Sequence, residues 1–305
     1  MAKYFATFPA GCYPIIERHL KSFKPQDLGL LGHDESSVIF ESPFSTERLI
    51  ELRFLTNIYR FIDKELGLRG SFFSLAMLQN GQPATIEPVK RTELEAKIVN
   101  DFGLELNVHL SRNNFYLIQR GDEEFLTLRL PRPKFKREKL QAGELRPELA
   151  HILCLAAGFK AKDTLLDSFA GSGAIPFEAV RGFGCKTAIA VDHKKVSGRH
   201  EAPGIKWHEA DAVHLDFIDA NSINRVITDP PWGIYDTATA VETYRASLQE
   251  IFRVLKQDGV TVILSGSTQL DKAIPQSEFK IIKEYPILVS GKKAKIYKLQ
   301  KLVEK

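Results

Sequence analysis

The run Asp229-Pro230-Pro231-Trp232-Gly233 carries residue types that could hold a flat base by its exocyclic amino group. The carboxylate of Asp229 can accept one N–H. The carbonyl of Pro230 can accept the other, because proline fixes φ and leaves its C=O free to be aimed. The indole of Trp232 offers a face on which a base can stack. The structural alternative is a rigid Pro-Pro turn that carries a buried tryptophan.

The elements around this run alternate between strands and helices. Strands are predicted at 164–167, 187–192, 205–207, 225–228 and 260–264, and helices at 144–158, 172–181 and 238–256. This alternation predicts a mostly parallel sheet with helices on both faces. Two further strands, 279–284 and 295–299, flank Gly291 and predict a hairpin that adds an antiparallel strand. We expect an α/β, Rossmann-like domain with a seven-stranded mixed sheet over residues 140–305.

The first part of the chain, 1–135, has a less regular α+β pattern. Strands are predicted at 4–7, 37–40, 105–110, 114–120 and 124–130, and helices at 13–23, 46–51 and 93–102. A linker follows this module. It contains Pro131 and Pro133 and five basic residues, Arg132, Lys134, Lys136, Arg137 and Lys139. A solvated linker and a phosphate contact are both compatible with that composition.

An acidic residue stands at or just after each of the first four strands of the second domain. These residues are Asp167, Asp192, Asp211 and Asp229. Ligands of open α/β sheets bind beyond the carboxyl ends of the strands. The eight histidines and three separated cysteines show no metal-ligand spacing. We therefore expect the carboxylates to accept hydrogen bonds from a ligand, although Asp192 and Asp211 could also cap turns.

The turn that follows Asp167 brings backbone close to a ligand through two glycines, Gly171 and Gly173. A nicotinamide cofactor would require a glycine at position 176, which is proline, and no G-K-[ST] run is present for ATP. An acid before the glycines repels pyrophosphate and attracts an ammonium group. Asp192, about 20 residues later, is placed for a ribose diol. S-adenosylmethionine combines a cation, a ribose and an amino-bearing base.

These motifs resemble motifs I to IV of the class I amino-methyltransferases. The nearest resemblance is to the RNA guanine-N2 methyltransferases that carry a THUMP domain. Residues 145–150 resemble the helix that leads into their sheet, and residues 5–11 and 53–62 resemble their ferredoxin-like and THUMP region. The resemblance covers nearly the whole chain, but its specific motifs lie within 145–233.

The resemblance implies N2-methylation of a guanosine in tRNA or rRNA, with S-adenosylmethionine as the cofactor. The catalytic residues would be Asp229, Pro230, Pro231 and Trp232. The cofactor-binding residues would be Asp167, Phe169, Ala170, Gly171, Gly173, Asp192 and Asp211. Within this set, Asp167 would hold the ammonium, Asp192 the ribose and Asp211 the adenine amino group. The N-terminal module would bind RNA by shape and phosphate.

Two features qualify the site. The segment from Asp192 to Trp207 is short and rich in glycine and proline, so we expect a stunted helix and a more open adenosine pocket. Tyr235, Lys292 and Lys293 could lie near the same rim. Packing for the tyrosine and an exposed turn for the lysines are the alternatives.

Three other functions remain open. One is methylation of adenine N6 in RNA or DNA, and another is methylation of a protein glutamine, whose enzymes tend to have asparagine where Asp229 stands. The third is an RNA-binding protein without catalysis. The glycine turn precedes the D-P-P-W run, whereas the adenine-N6 enzymes of mRNA that use D-P-P-W have the reverse order.

Composition sets the remaining expectations. The net charge of +4 is compatible with nucleic acid as a partner. No apolar run reaches the roughly 18 residues of a membrane span, and Pro9, Gly11 and Pro14 interrupt the N-terminus, against a secretory signal. Three scattered cysteines favour a reducing compartment. We therefore expect a cytoplasmic protein, and the sequence leaves its oligomeric state open.

Overall fold

The computed structural model describes residues 1–62, 66, 68–131, 140, 143–232 and 241–302. The chain begins with β1 (Ala2–Thr7), α1 (Tyr13–Leu20), β2 (Gly29–His33), β3 (Ser37–Ser42), α2 (Thr46–Ile50), β4 (Asn57–Phe61), β5 (Phe72–Gln79), β6 (Gln82–Ala84), α3 (Pro88–Phe102), β7 (Glu105–Leu106), β8 (Asn113–Arg120) and β9 (Glu123–Arg129). It continues with α4 (Pro147–Ala157), β10 (Thr164–Asp167), α5 (Ala174–Phe183), β11 (Thr187–Asp192), β12 (Ile205–Glu209), β13 (Ile223–Thr228), α6 (Val241–Val254), β14 (Leu255–Ser265), α7 (Thr268–Ala273), β15 (Phe279–Val289) and β16 (Lys292–Lys301). Among the helices of the described residues, none has the length and apolar character needed to cross a membrane.

The chain forms two compact units. One comprises Met1–Phe8 and Leu20–Lys134, and the other comprises Pro9–His19 and Phe135–Lys305. The predicted basic linker falls largely on residues 132–139, which lie outside the described residues.

The second unit contains the seven-stranded mixed sheet that the sequence predicts. Its strand order is β12-β11-β10-β13-β14-β16-β15. The first five strands run parallel, and β16 lies antiparallel to both β14 and β15. Strands β10 and β11 have the predicted bounds, because each is a run of apolar residues that ends in aspartate. Successive strands are added on one side of β10 as far as β12 and on its other side from β13 onward. The boundary between β10 and β13 is therefore the topological switch point, where open α/β sheets bind ligands.

The core of this unit lies between the sheet and its helices. One cluster joins α6 to the sheet through fully buried residues such as Leu248, Ile251 and Val226. Helix α4 is buried along nearly its whole length and packs against α5. Side chains on these surfaces are held in place by close packing on all sides, so the strand ends have fixed positions.

Helix boundaries in this unit differ from the prediction where particular residues set the backbone. Helix α4 begins at Pro147, because proline suits the first helical position. Helix α5 begins only after Gly173, whose φ of +83° is left-handed and cannot be helical. The first residues of the helix predicted over 238–256 lie outside the described residues. Helix α6 ends at Val254 because Leu255 pairs with Ile223 and starts β14.

The first unit is an α+β module with a nine-stranded sheet. Its order is β2-β3-β1-β4-β9-β8-β5-β6, with β7 beside β5. Helix α3 starts earlier than predicted because the Glu87 side chain accepts hydrogen bonds from the backbone N–H groups of Val89 and Lys90. Strands β2, β4, β5 and β6 were not predicted. The strand predicted over 105–110 has only two residues, since the Asn107 side chain accepts hydrogen bonds from the backbone N–H groups of His109 and Leu110 and forms a turn.

Residues 9–19 belong to the second unit, although the sequence division assigns them to the first module. The backbone N–H of Leu288 donates to the carbonyl of Ala10 at 3.1 Å. Gly11 has a φ of +86°, and a Cβ at this position would lie 2.2 Å from the carbonyl oxygen of Pro286. Only glycine permits this close approach between the segment and the β15–β16 hairpin.

Candidate active site

The four predicted acids lie at one edge of the seven-stranded sheet. Asp167 and Asp192 are the last residues of β10 and β11, Asp229 directly follows β13, and Asp211 lies two residues after β12. These strands are parallel, so their carboxyl ends share that edge. The charges of Asp192 and Asp229 both contribute to raising the pKa of Asp167, as expected for carboxylates that share one edge.

Asp167 is buried beneath the glycine turn, with 1% of its surface exposed. Its Oδ1 accepts hydrogen bonds from the hydroxyl of Thr228 at 2.7 Å and from the backbone N–H of Phe169 at 3.3 Å. The Phe169 N–H is shared, since it also points to the Thr228 oxygen at 3.1 Å. The carboxylate therefore fastens the start of the turn to the neighbouring strand β13.

Asp192 holds the other end of the glycine turn. Its Oδ2 accepts a hydrogen bond from the backbone N–H of Gly171 at 2.8 Å, and its Oδ1 accepts one from the N–H of Lys194 at 3.2 Å. Backbone hydrogen bonding from Ala170 to the carbonyl of Val191, at 2.9 Å, adds to this connection. The Asp192 side chain is 16% exposed, so it is accessible to a ligand as well as to the turn.

The two glycines of the turn have different surroundings. Gly171 has a φ of +51°, and no atom would lie within 4 Å of a Cβ placed on it. The turn therefore presents open space at this point, as a cradle for a ligand requires. At Gly173 a Cβ would lie 2.6 Å from the ring of Trp207, so this glycine permits close packing instead. Phe169 is half-buried beside them, and Ala170 is buried.

The segment between β11 and β12 contains turns and no helix; its residues, 193–204, are all described. The stunted helix expected there is thus absent altogether from this segment. Polar contacts hold the segment instead: Nε2 of His200 lies 2.8 Å from Oε1 of Glu144, and the His200 N–H donates to the carbonyl of Ser172. The guanidinium of Arg199 lies 4.6 Å above the ring of Trp207.

Asp211 is the most exposed of the four acids. Its Oδ1 accepts a hydrogen bond from the N–H of Val213 at 3.2 Å, which is the turn-capping role that the sequence left open. The backbone N–H of Ala210 donates to the carbonyl of Asp192 at 3.0 Å. That bond places Asp211 on the rim beside the end of β11.

The D-P-P-W turn presents its carboxylate differently. Asp229 is half-buried, and its Oδ1 accepts a hydrogen bond from Nε1 of Trp232 at 2.8 Å. Burial raises the pKa of Asp229 to about 7, against the lowering effect of that bond. Pro230 is buried, and the described residues contain no hydrogen-bond donor to its carbonyl. The Asp229–Pro230 pair therefore has acceptors to offer a ligand.

Neighbouring elements hold the turn in place. The hydroxyl of Tyr244 on α6 donates to the carbonyl of Pro231. A Cβ on Gly266 would lie 2.6 Å from Cε3 of Trp232, so the indole packs directly on the backbone after β14. Thr228, Tyr244 and Gly266 were not predicted to belong to the site. Thr228 carries a signal, a polar residue in a buried strand next to the motif, whereas the other two lie far along the chain. Tyr235 lies outside the described residues.

The carboxylates of this edge are suited to a cationic ligand. Burial, with a smaller contribution from the charges of the neighbouring aspartates, raises the pKa of Asp167 to about 8. No basic side chain of the described residues is among the groups that shift the pKa of Asp167 or Asp229. A ligand that brings positive charge would stabilise the ionised carboxylates and relieve their repulsion. The open cradle at Gly171 provides room for it.

Two curated relatives align with part of the chain. It is 30% identical over 182 residues to a tRNA (guanine(6)-N2)-methyltransferase of Thermus thermophilus, covering 56% of this chain and 54% of that protein. It is 28% identical over 163 residues to a tRNA (guanine(10)-N2)-dimethyltransferase of Methanothermobacter thermautotrophicus, covering 49% of this chain and 47% of that protein. The chain thus spans about half the length of the curated relatives it matches.

The fold is shared over the whole chain with a solved structure, TrmN from Thermus thermophilus. The TM-score is 0.80 at 20% sequence identity, over 99% of this chain and 100% of that one. Residues 134–202 and 194–295, more than half of the chain, match the family model of the RMKL-like methyltransferase domain, UPF0020. On the strength of that match and of the seven-stranded fold, the chain belongs to the RMKL-like methyltransferase domain family.

Proposed function

We propose that this protein transfers a methyl group from S-adenosylmethionine to the exocyclic N2 of a guanosine in tRNA. The observation that carries the proposal is the half-buried Asp229, with a pKa raised to about 7, at the same sheet edge as the glycine turn. The names of the two curated relatives support guanine N2 as the acceptor and tRNA as the substrate, with rRNA as the alternative.

The glycine-turn side of the edge would hold the cofactor. Asp192, part-exposed at the end of β11, would accept the ribose hydroxyls, and Asp211 on the rim would accept the adenine amino group. Asp167 would favour the methionine ammonium mainly through the turn that it fastens, since both of its hydrogen bonds run to that turn and to Thr228. Phe169, Ala170, Gly171 and Gly173 would line the cofactor. When bound, the cofactor supplies an activated methyl group on a sulfonium.

The D-P-P-W side would hold the methyl acceptor. An exocyclic amino group is a poor nucleophile because its lone pair is delocalised into the ring. Asp229 would accept one N–H and the Pro230 carbonyl the other, which favours a pyramidal nitrogen and aims it at the methyl group. Trp232 orients Asp229 through its Nε1, and its ring would border the base, which must be flipped out or single-stranded. An ionised Asp229 can also take the proton that the amino group loses.

The first unit, the α+β module of the N-terminal part, would bind RNA by shape and phosphate as a THUMP-like module. We place the RNA-binding domain at 1–135, without the segment 9–19 that belongs to the second unit, and the methyltransferase domain at 140–305. The cytoplasm would be the site of action, because tRNA is available there and the three cysteines are unpaired and buried.

Labelled methyl transfer tests this proposal. Unmodified tRNA transcripts and ribosomal RNA would be incubated with the protein and labelled S-adenosylmethionine, then digested to nucleosides. The expected product is N2-methylguanosine, absent with Asp229→Ala and retained with Asp216→Ala, an exposed acid outside the site. Label in N6-methyladenosine would overturn the guanine assignment. Cofactor binding without labelled nucleoside would overturn RNA as the substrate.

A further inference from the structure

The sheet edge that carries the four acids also carries basic residues, at the start of β16. Strand β16 is antiparallel to β14, with Ser265 opposite Lys295, so β16 begins where the parallel strands end. Its first residues, Lys292 and Lys293, therefore lie at the same edge as the acids. In strand order, acids follow β12, β11, β10 and β13, and lysines start β16 beyond β14.

The backbone of Lys293 lies close to Trp232 of the D-P-P-W turn. A Cβ on Gly266 would lie 2.6 Å from Cε3 of Trp232 and 3.1 Å from the carbonyl oxygen of Lys293. Gly266 is thus packed between the indole and the start of β16, with no room for a side chain. This packing fixes the position of the Lys293 backbone relative to Trp232, and hence relative to Asp229, with which Trp232 shares a hydrogen bond.

The charge of Lys293 is available at this point. Its side chain is exposed, and no ion pair to it is found among the described residues. Lys295, the next lysine on the same face of β16, is instead held by Asp271 at 3.5 Å and Glu284 at 3.2 Å. Leu288, which pairs with Lys293 across the hairpin, is 45% exposed. The end of the hairpin therefore presents a cation next to an apolar surface.

We infer that Lys293 binds a phosphodiester of the RNA backbone next to the target nucleotide, an inference that rests on the proposed function. A base held at Asp229 leaves its own backbone outside the pocket. The acidic side of the edge repels phosphate, so the backbone must leave on the lysine side. An ammonium on a flexible stem suits a phosphate as a point charge. Leu288 would contact the neighbouring sugar or base. Such a contact positions the strand without reading its sequence.

The test compares Lys293→Ala with Lys283→Ala, an exposed lysine of the same hairpin about 20 Å from its end. We expect Lys293→Ala to raise the KM for tRNA several-fold, with kcat and cofactor affinity unchanged. The slope of log affinity against log salt should fall by about 1. Lys293→Arg should restore the KM, and Lys283→Ala should match the native protein.

Two outcomes separate this inference from the proposed function. A native protein that methylates tRNA, together with an unchanged KM and salt slope in Lys293→Ala, would overturn the role of Lys293 alone. Direct RNA binding in the presence of S-adenosylhomocysteine provides the second readout. If the native protein shows no transfer, the proposed function fails, and an unaltered salt slope of RNA binding in Lys293→Ala would then overturn the phosphate contact as well.

Discussion

Two turns at the same sheet edge place an aspartate at the end of a buried strand, and they treat it in opposite ways. Asp167, at the end of β10, is 1% exposed and held by the Thr228 hydroxyl and a backbone N–H. Asp229, just after β13, is half-buried and held by the indole N–H of Trp232. Burial raises the pKa of both, to about 8 and about 7 respectively.

The difference teaches that a raised pKa alone does not identify the group that meets the substrate. The bonds of Asp167 run to its own turn and the adjacent strand, so its main effect is to shape the glycine turn. Asp229 keeps an accessible face, and its partner Trp232 is itself part of the site. One carboxylate therefore organises backbone, and the other is available for chemistry.

The largest expected effect concerns the accessible carboxylate. Asp229→Ala should lower the single-turnover rate of methyl transfer about 10²–10³-fold, as is typical when one preorganised electrostatic group is removed from an active site. The Kd for S-adenosylhomocysteine should stay within about twofold of the native value, a change in binding free energy of less than about 1.4 kcal/mol. If Asp229→Ala keeps the native rate of methyl transfer, Asp229 has no part in the mechanism, and the proposed difference in role between Asp229 and Asp167 is wrong.

The next effect concerns the hydrogen bond from Thr228 to the buried carboxylate of Asp167. Thr228→Val removes the hydroxyl that donates to Asp167, and it should lower the free energy of unfolding by about 1–3 kcal/mol because a buried acceptor loses its partner. Thr261→Val is the matched control. Thr261 is also fully buried, on the adjacent strand, and its Oγ1 has no hydrogen-bond partner among the described residues. Chemical denaturation of both variants should show a loss for Thr228→Val alone. Equal losses would contradict a specific role for this hydrogen bond.

A smaller effect concerns pH and the charge of the cofactor. Asp229 ionises as pH rises through about 7, and an ionised carboxylate favours a nearby sulfonium. The ratio of affinities for S-adenosylmethionine and S-adenosylhomocysteine should therefore increase between pH 6 and pH 8, by up to about tenfold. The homocysteine compound has the same amino group but no sulfonium, so it cancels other titrations. In Asp229→Asn this ratio of affinities should not change with pH. If the ratio is also independent of pH in the native protein, Asp229 does not lie near the methyl group.

Much of the second unit could be predicted because its signals are local. Strands β10 and β11 are short apolar runs that end in Asp167 and Asp192, and their bounds were predicted correctly. The D-P-P-W run and the glycine turn are contiguous motifs with a chemical meaning of their own. The seven-stranded mixed sheet follows from strand–helix alternation and the final hairpin.

The rest depends on contacts between residues far apart in the chain. Nothing near Trp232 in sequence indicates that its ring packs on Gly266 or that Tyr244 holds the Pro231 carbonyl. In the first unit, β5 (Phe72–Gln79) has no clear alternation, and its buried residues are set by pairing with β8. Tertiary packing decides such strands more than their own propensity does.

Calorimetry of S-adenosylhomocysteine binding to Asp167→Ala and Asp229→Ala, carried out side by side, separates the roles of the two carboxylates. We expect Asp167→Ala to lose at least about tenfold in affinity (1.4 kcal/mol), because the glycine turn loses the carboxylate that holds it, and we expect Asp229→Ala to keep the native dissociation constant. A native affinity in Asp167→Ala, or an equal loss in both variants, would contradict the division of roles between the two carboxylates.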